Sequence, residues 1–225
     1  MKMTPDGEAE TAAQGATRME EAGDLKSAAE RWQKLLRFKE AEDANERAWF
    51  LLADKRLREL TNVAENEQAL RKRVEDIRHF RTQPAAKESE RQVELAVRAE
   101  LFGDLGLALD SWEKLKEKYQ ADPDARQRAL LAAKKVYELK DKAPRGPEAQ
   151  AFRVSLLHKT LEQAAKDLET SPRDTAMACY DIVALYGSPA FSELSEAVTA
   201  AQKLLRKLPR DLAKALPPLP VAESP

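Results

Sequence analysis

Apolar residues recur at intervals of three and four along most of this chain, the spacing that lines one face of an α-helix. Leu25, Ala28, Ala29, Trp32, Leu35 and Leu36 mark one stripe, and Phe50, Ala53, Leu57 and Leu60 mark the next. Before them, a first helix is expected from Glu8 to Ala22, closed by Gly23, which can turn left-handed without a Cβ penalty. Val63, Leu70, Val74 and Ile77 carry the pattern on. They belong either to a straight extension of the third helix or to a fourth one capped by Asn62, with Glu65 three residues on. The segment "RTQPAAKESE" at 81–90 interrupts the pattern, because Pro84 breaks a helix and Ser89 can begin the next.

Beyond the break, Val93, Ala96, Val97 and Leu101 face a stripe of Leu105, Ala108, Leu109, Trp112, Leu115 and Tyr119. Asp122 suits a cap and Pro123 a first helical position. "KDKAPRGPEAQ" at 140–150 reads as a loop, followed by a longer helix whose stripe is Phe152, Leu156, Leu157, Leu161, Ala164, Ala165 and Leu168. A last helical hairpin is expected over 171–208. After it comes a proline-rich tail, 209–225, that Leu212, Leu216 and Leu219 could fasten over the final helix.

The stripes repeat. "MEEAGDLKSAAERWQKLL" at 19–36 returns as "AELFGDLGLALDSWEKLK" at 99–116, superimposing Gly23 on Gly103, Asp24 on Asp104, Ala28 on Ala108 and Trp32 on Trp112. A weaker third copy at 171–186 places Tyr180 near the tryptophan position. The expected organisation is a loose start at 1–7, a first repeat unit at 8–80, a second at 85–168, the degenerate terminal hairpin at 171–208 and the tail. In physical terms the glycine makes the turn, the aspartate satisfies amides at a helix start, the small alanine lets paired helices approach and the aromatic fills the next gap. These residues, Tyr180 included, are read first as scaffold.

Composition agrees with an all-α chain: glycine numbers only 7, and 43% hydrophobic residues can supply a substantial core. A formal charge of -1 gives no general field toward nucleic acid or anionic lipid. The basic run "RKR" at 71–73, with Arg78 and Arg81, is diluted by Glu67, Glu75 and Asp76, so nucleic acid is a disfavoured partner. The start lacks the apolar core of a secretory signal and no apolar run is long enough to cross a bilayer, so a cytoplasmic protein without membrane insertion is expected.

The glycine–aspartate turn, small alanine, aromatic and boundary Asp122–Pro123 of "AELFGDLGLALDSWEKLKEKYQADPDA" resemble the tetratricopeptide repeat family, with "EEAGDLKSAAERW" as a second match. The 80-residue spacing of the copies exceeds the family unit of about 34 residues, as though two helix pairs made each copy. The resemblance implies stacked antiparallel helical hairpins in a right-handed α-solenoid and the holding of a partner protein or peptide on its surface. The family's clamp for acidic carboxyl termini does not carry over, because Asn45, Asn62 and Asn66 do not recur in the matched units. Candidate contacts are instead Arg18, Arg91, Arg98 and Lys114.

Chemistry is sparse. His79 with Asp76 and His158 with Glu162 share helix faces but form no ligand set, and no phosphate loop or nucleophile–base spacing occurs. Cys179 is the single cysteine and lies among apolar residues. No catalysis, cofactor or metal is expected. The leading expectation is a noncatalytic protein-binding scaffold. The alternatives are self-association into a homodimer through a long third helix, and a regulatory module of a larger signalling protein.

Overall fold

The computed structural model describes residues 7–40, 44–120 and 122–218, and its regular elements are all helical. In chain order they are α1 (Glu8–Ala22), α2 (Leu25–Leu35), α3 (Ala44–Arg78), α4 (Glu88–Phe102), α5 (Leu105–Gln120), α6 (Arg126–Leu139), α7 (Gly146–Lys166), α8 (Pro172–Tyr186), α9 (Ser195–Arg206) and α10 (Arg210–Ala215). Short 3-10 turns lie at Leu36–Glu40, Pro123–Ala125 and Pro189–Leu194. The open question at Asn62 is answered, since α3 runs unbroken for 35 residues. No helix among the described residues is long and apolar enough to cross a membrane. The expected tail contact of Leu219 and the start at 1–6 lie outside the described residues.

The chain divides into two compact units, one of residues 1–69 and 109–142 and the other of 70–108 and 143–225. In the first, α1 packs on α2 and on α6. Its core includes Ala28, Trp32, Leu35, Ala53 and Trp112, each almost free of solvent. Trp32 donates its indole N–H to Glu20 at 2.7 Å, and the other Glu20 oxygen accepts from Arg126 Nη2 at 2.6 Å. Arg126 Nε reaches Glu59 on α3 at 2.9 Å, so one arginine ties α6 to both α1 and α3.

Gly23 is the C-cap of α1 with φ 88°, and Gly103 is that of α4 with φ 96°. Both glycines turn left-handed, as the repeat requires, but their surroundings differ. A methyl group at Gly23 would sit 2.0 Å from the carbonyl oxygen of Ala133 on α6, whereas one at Gly103 would meet nothing within 4 Å. The turn after α1 is therefore also a docking point.

In the second unit α8 is the hub, packing against α4, α7 and α9. Nine of its residues are buried, including Cys179, Tyr180, Asp181 and Tyr186, so this helix is enclosed nearly all round. The expected stripe on α7 is shifted. Phe152 is 45% exposed, and the buried face is Ala149, Arg153, Leu157 and Ala164. Arg153 turns inward because its Nε donates to Asp104 at 2.6 Å, a carboxylate with no exposed surface that also accepts from the Tyr186 hydroxyl at 2.8 Å. The free oxygen of Asp104 still performs the cap expected of it, accepting from Leu107 N at 2.9 Å.

Two outcomes follow from this packing. Gly103→Ala should lower unfolding free energy by about 1–2 kcal/mol, the cost of a left-handed residue with a side chain, while Gly23→Ala should cost at least about twice that, because α6 must also retreat; urea titrations of both variants compare them. The second concerns acid. Burial raises the Glu67 carboxyl, but Lys134 and Lys135 on α6 outweigh it and hold its pKa below the ordinary 4.5. A carboxyl depressed in the folded state contributes stability above its ordinary value and loses it as pH falls through the folded value. The melting temperature should thus fall on acidification below about pH 4.5, and less steeply in Glu67→Gln.

Candidate binding groove

The second unit's groove is built on buried charge. Asp181, in the last two turns of α8, has no exposed surface. One of its oxygens accepts from Arg98 Nη1 on α4 and the other from Arg78 Nε at 2.9 Å. One turn before Arg98 on the same helix, buried Glu94 accepts from Arg73 Nε at 2.5 Å and from the backbone N–H of Ala85 at 3.0 Å. Arg73 also donates to the carbonyl of Gln83 at 3.0 Å. The segment containing Pro84, expected only to break a helix, is thereby fastened as a wall beside α4.

Just before that wall, the turn that follows α3 holds Phe80 at φ 60°. The left-handed residue is stabilised by two end-of-helix hydrogen bonds, Arg81 N to Asp76 O at 2.8 Å and Phe80 N to Ile77 O at 3.0 Å. Its ring meets the Tyr180 ring edge-on with centroids 6.1 Å apart, and the Arg98 guanidinium lies 5.1 Å from the Tyr180 centroid on its own account. Tyr180 is thus held in place with 1% of its surface exposed. Burial pushes its phenol pKa up, so the hydroxyl remains a donor.

Between the Pro84–Ala86 wall, α4 and α8 lies a cavity of about 370 Å³, lined by apolar atoms of Pro84, Ala86, Leu95 and Ala184 with Arg91 and Tyr180 at its polar points. Two of the four candidate contact residues, Arg91 and Arg98, line this cavity. They differ in state. Arg98 is 4% exposed and committed to Asp181, whereas Arg91 is partly exposed, with contacts of 3.4 Å to Ala86 O and 3.4 Å to Glu88. Arg18 and Lys114 belong to the other unit and are both exposed, with Arg18 bordering a separate hollow beside Trp49 and Leu52. The scaffold positions Ala28, Trp32, Ala108, Trp112 and Tyr180 are all buried.

Other candidates are absorbed locally. Arg71 and Arg73 of the basic run pair with Glu100 and Glu94 at 2.6 and 2.5 Å, which draws their charge into the fold. The His79 carbonyl accepts from Arg173 at 2.9 Å. Cys179 is fully buried, and burial pushes its thiol pKa up to about 12, so it is a thiol rather than a nucleophilic thiolate at neutral pH. No cluster of three or more potential metal ligands occurs among the described residues. A second cavity of about 390 Å³ lies in the first unit, where Glu20 and Arg126 at its edge are already paired with each other.

Sequence reasoning missed Glu94 and the Pro84–Ala86 wall, which line the groove, and Asp181, which is buried behind it and pairs with Arg98. The available signal was Asp181 standing inside the apolar run "ACYDIVAL", with no basic residue on its own helix three or four positions away to neutralise it. Searches against known proteins return no matching family model, no matching curated protein and no matching solved structure.

The two arginines of the groove should respond differently to truncation. Arg98→Ala leaves Asp181 short of a partner in a buried site and should cost about 3–5 kcal/mol. Arg91→Ala should change stability by no more than about 0.5 kcal/mol. Denaturant unfolding measures both.

Proposed function

We propose that this chain is a noncatalytic interaction module that holds a segment of a partner protein in the groove of its second unit. The supporting observation is the groove itself, about 370 Å³ with apolar walls held by internal ion pairs. A site whose walls are already in position needs little reorganisation on binding, and concave, mostly apolar surfaces with a few placed polar groups are where ligands dock. The reading includes the finer architecture expected from the repeats, a right-handed stack of antiparallel hairpins similar to a degenerate tetratricopeptide domain. The glycine–aspartate turns at Gly23–Asp24 and Gly103–Asp104 support it, both glycines being left-handed and both aspartates accepting from a backbone amide three residues on.

Self-association through the third helix has less to build on. The helix is continuous, but Ala53, Leu60, Val63, Val74 and Ile77 on its stripe are buried within the chain. Among the described residues, Leu51 is the large apolar side chain of α3 that stands well exposed, at 63%.

Cross-linked capture from the source cell, with the full chain as bait, tests the proposal when wild type and Leu95→Glu are run together. Leu95 lines the groove and is partly exposed, so a charge there should abolish capture of the partner while thermal unfolding changes little. Equal capture by both baits would sink the groove as the binding site. A mass by light scattering that rises to a dimer, with no second protein recovered, would shift the reading to self-association.

A further inference from the structure

One stretch of polypeptide already lies against the groove. After α10, Leu216 adopts φ -62° and ψ 134°, the values of a polyproline II helix, and Pro217 and Pro218 follow. Pro217 is buried, Pro218 lines the cavity, and the Tyr180 hydroxyl donates to the Pro218 carbonyl at 3.2 Å. The cavity of about 370 Å³ remains open beside these prolines, so they do not fill it.

We propose that the groove is a receptor for extended, proline-rich peptide segments, and that residues 216–218 are its intramolecular ligand, which a proline-rich partner segment displaces. The inference rests on the binding function proposed above and gives the partner its chemistry. A polyproline II segment has no internal hydrogen bonds, and proline has no N–H, so such a segment offers carbonyl acceptors and flat apolar rings. A matching receptor presents an apolar, aromatic-edged channel with a fixed donor at its rim. Here the channel is Pro84, Ala86, Leu95 and Ala184, and the donor is Tyr180, held by Phe80 and Arg98. Because proline fixes φ in advance, the segment loses little entropy on seating, which suits a shallow groove.

The strap makes displacement a competition. A ligand meeting a site that is mostly occupied in cis binds with an apparent affinity reduced by the unoccupied fraction. The test uses the full chain and a fluorescent peptide of residues 215–221, ALPPLPV. The double variant Pro217→Ser/Pro218→Ser, which unseats the strap, should bind the peptide saturably and about tenfold or more tighter than wild type by anisotropy. Adding Tyr180→Phe to that background should weaken binding roughly three- to tenfold, the effect of one hydrogen bond, with the melting temperature unchanged. The peptide ALAALPV should bind less well than ALPPLPV.

A second measurement serves if the double variant misfolds. Excess ALPPLPV added to wild type should accelerate tryptic cleavage after exposed Lys214, and ALAALPV should not. Failure of the folded double variant to bind ALPPLPV, equal binding of the two peptides, or unchanged cleavage would each overturn the inference. Should the peptide fail while Leu95→Glu still abolishes partner capture, the proline-rich class falls and the binding function stands. Peptide binding with capture indifferent to Leu95→Glu supports the receptor and removes the proposed partner site.

Discussion

Asp181 carries a negative charge to a position that water does not reach, and the second unit is arranged around that requirement. Removing a carboxylate from water costs several kcal/mol unless cations and hydrogen bonds replace the lost solvation. Arg98 and Arg78 supply them from separate helices, so the end of α3, the middle of α4 and the last two turns of α8 must meet in one register. An apolar cluster of the same size could be as stable, since buried ion pairs often only break even. It would tolerate sliding, however, where a carboxylate shared between two guanidinium groups does not. Glu94 repeats the device one turn away, fixing the Ala85 amide and, through Arg73, the Gln83 carbonyl. The groove walls are positioned as a consequence of neutralising these two acids.

The first unit solves a related problem at lower depth. Glu20 accepts from the Trp32 indole and from Arg126, which in turn reaches Glu59. Matching positions in the two repeat copies have nonetheless taken different work. Asp24 remains partly exposed and caps Ser27, and those Ser27 hydrogen bonds hold its carboxyl below the usual range. Asp104 caps Leu107 in the same way but is wholly buried and anchors Arg153 and Tyr186 with its second oxygen. Tyr186 is driven well above the ordinary phenol range by burial and by that neighbouring carboxylate, which keeps it a donor. The repeated turn is thus a common frame onto which one copy adds a buried polar cluster.

Periodicity made the helices legible because the apolar spacing and the turn glycines act locally. Glu8–Ala22 emerges with the expected bounds, and Trp32 and Trp112 lie where their stripes place them, each 1% exposed. The errors share a cause. A pattern that scores arginine as polar sends Phe152 inward and Arg153 outward, yet Asp104, 49 residues earlier in the chain, reverses the choice. Asp181 and Arg78 are 103 residues apart, so their meeting cannot be read from spacing on either helix. The groove was half visible, through Arg91 and Arg98. What joins them into a site is the wall at Pro84–Ala86, which Glu94 fastens at the Ala85 amide and Arg73 at the Gln83 carbonyl.

Tyr180 shows how a scaffold position can become a contact. In the first copy the corresponding aromatic is Trp32, whose single donor sits on the ring and is consumed by Glu20 inside the core. A tyrosine buries a ring of similar kind but carries its polar atom at the far tip, beyond the packed surface. With Phe80 against one edge and Arg98 close to the ring, Tyr180 can be 1% exposed and still deliver its hydroxyl to a backbone carbonyl at the groove. Such a donor discriminates by backbone geometry more than by side chain, since every residue has a carbonyl but few segments hold theirs outward in an extended line. Consecutive prolines do so without needing a neighbouring strand or a helix to fix them. Changing the aromatic type at one aligned position therefore moves the polar atom from the core, where Glu20 takes it, to the groove edge, where the Pro218 carbonyl does.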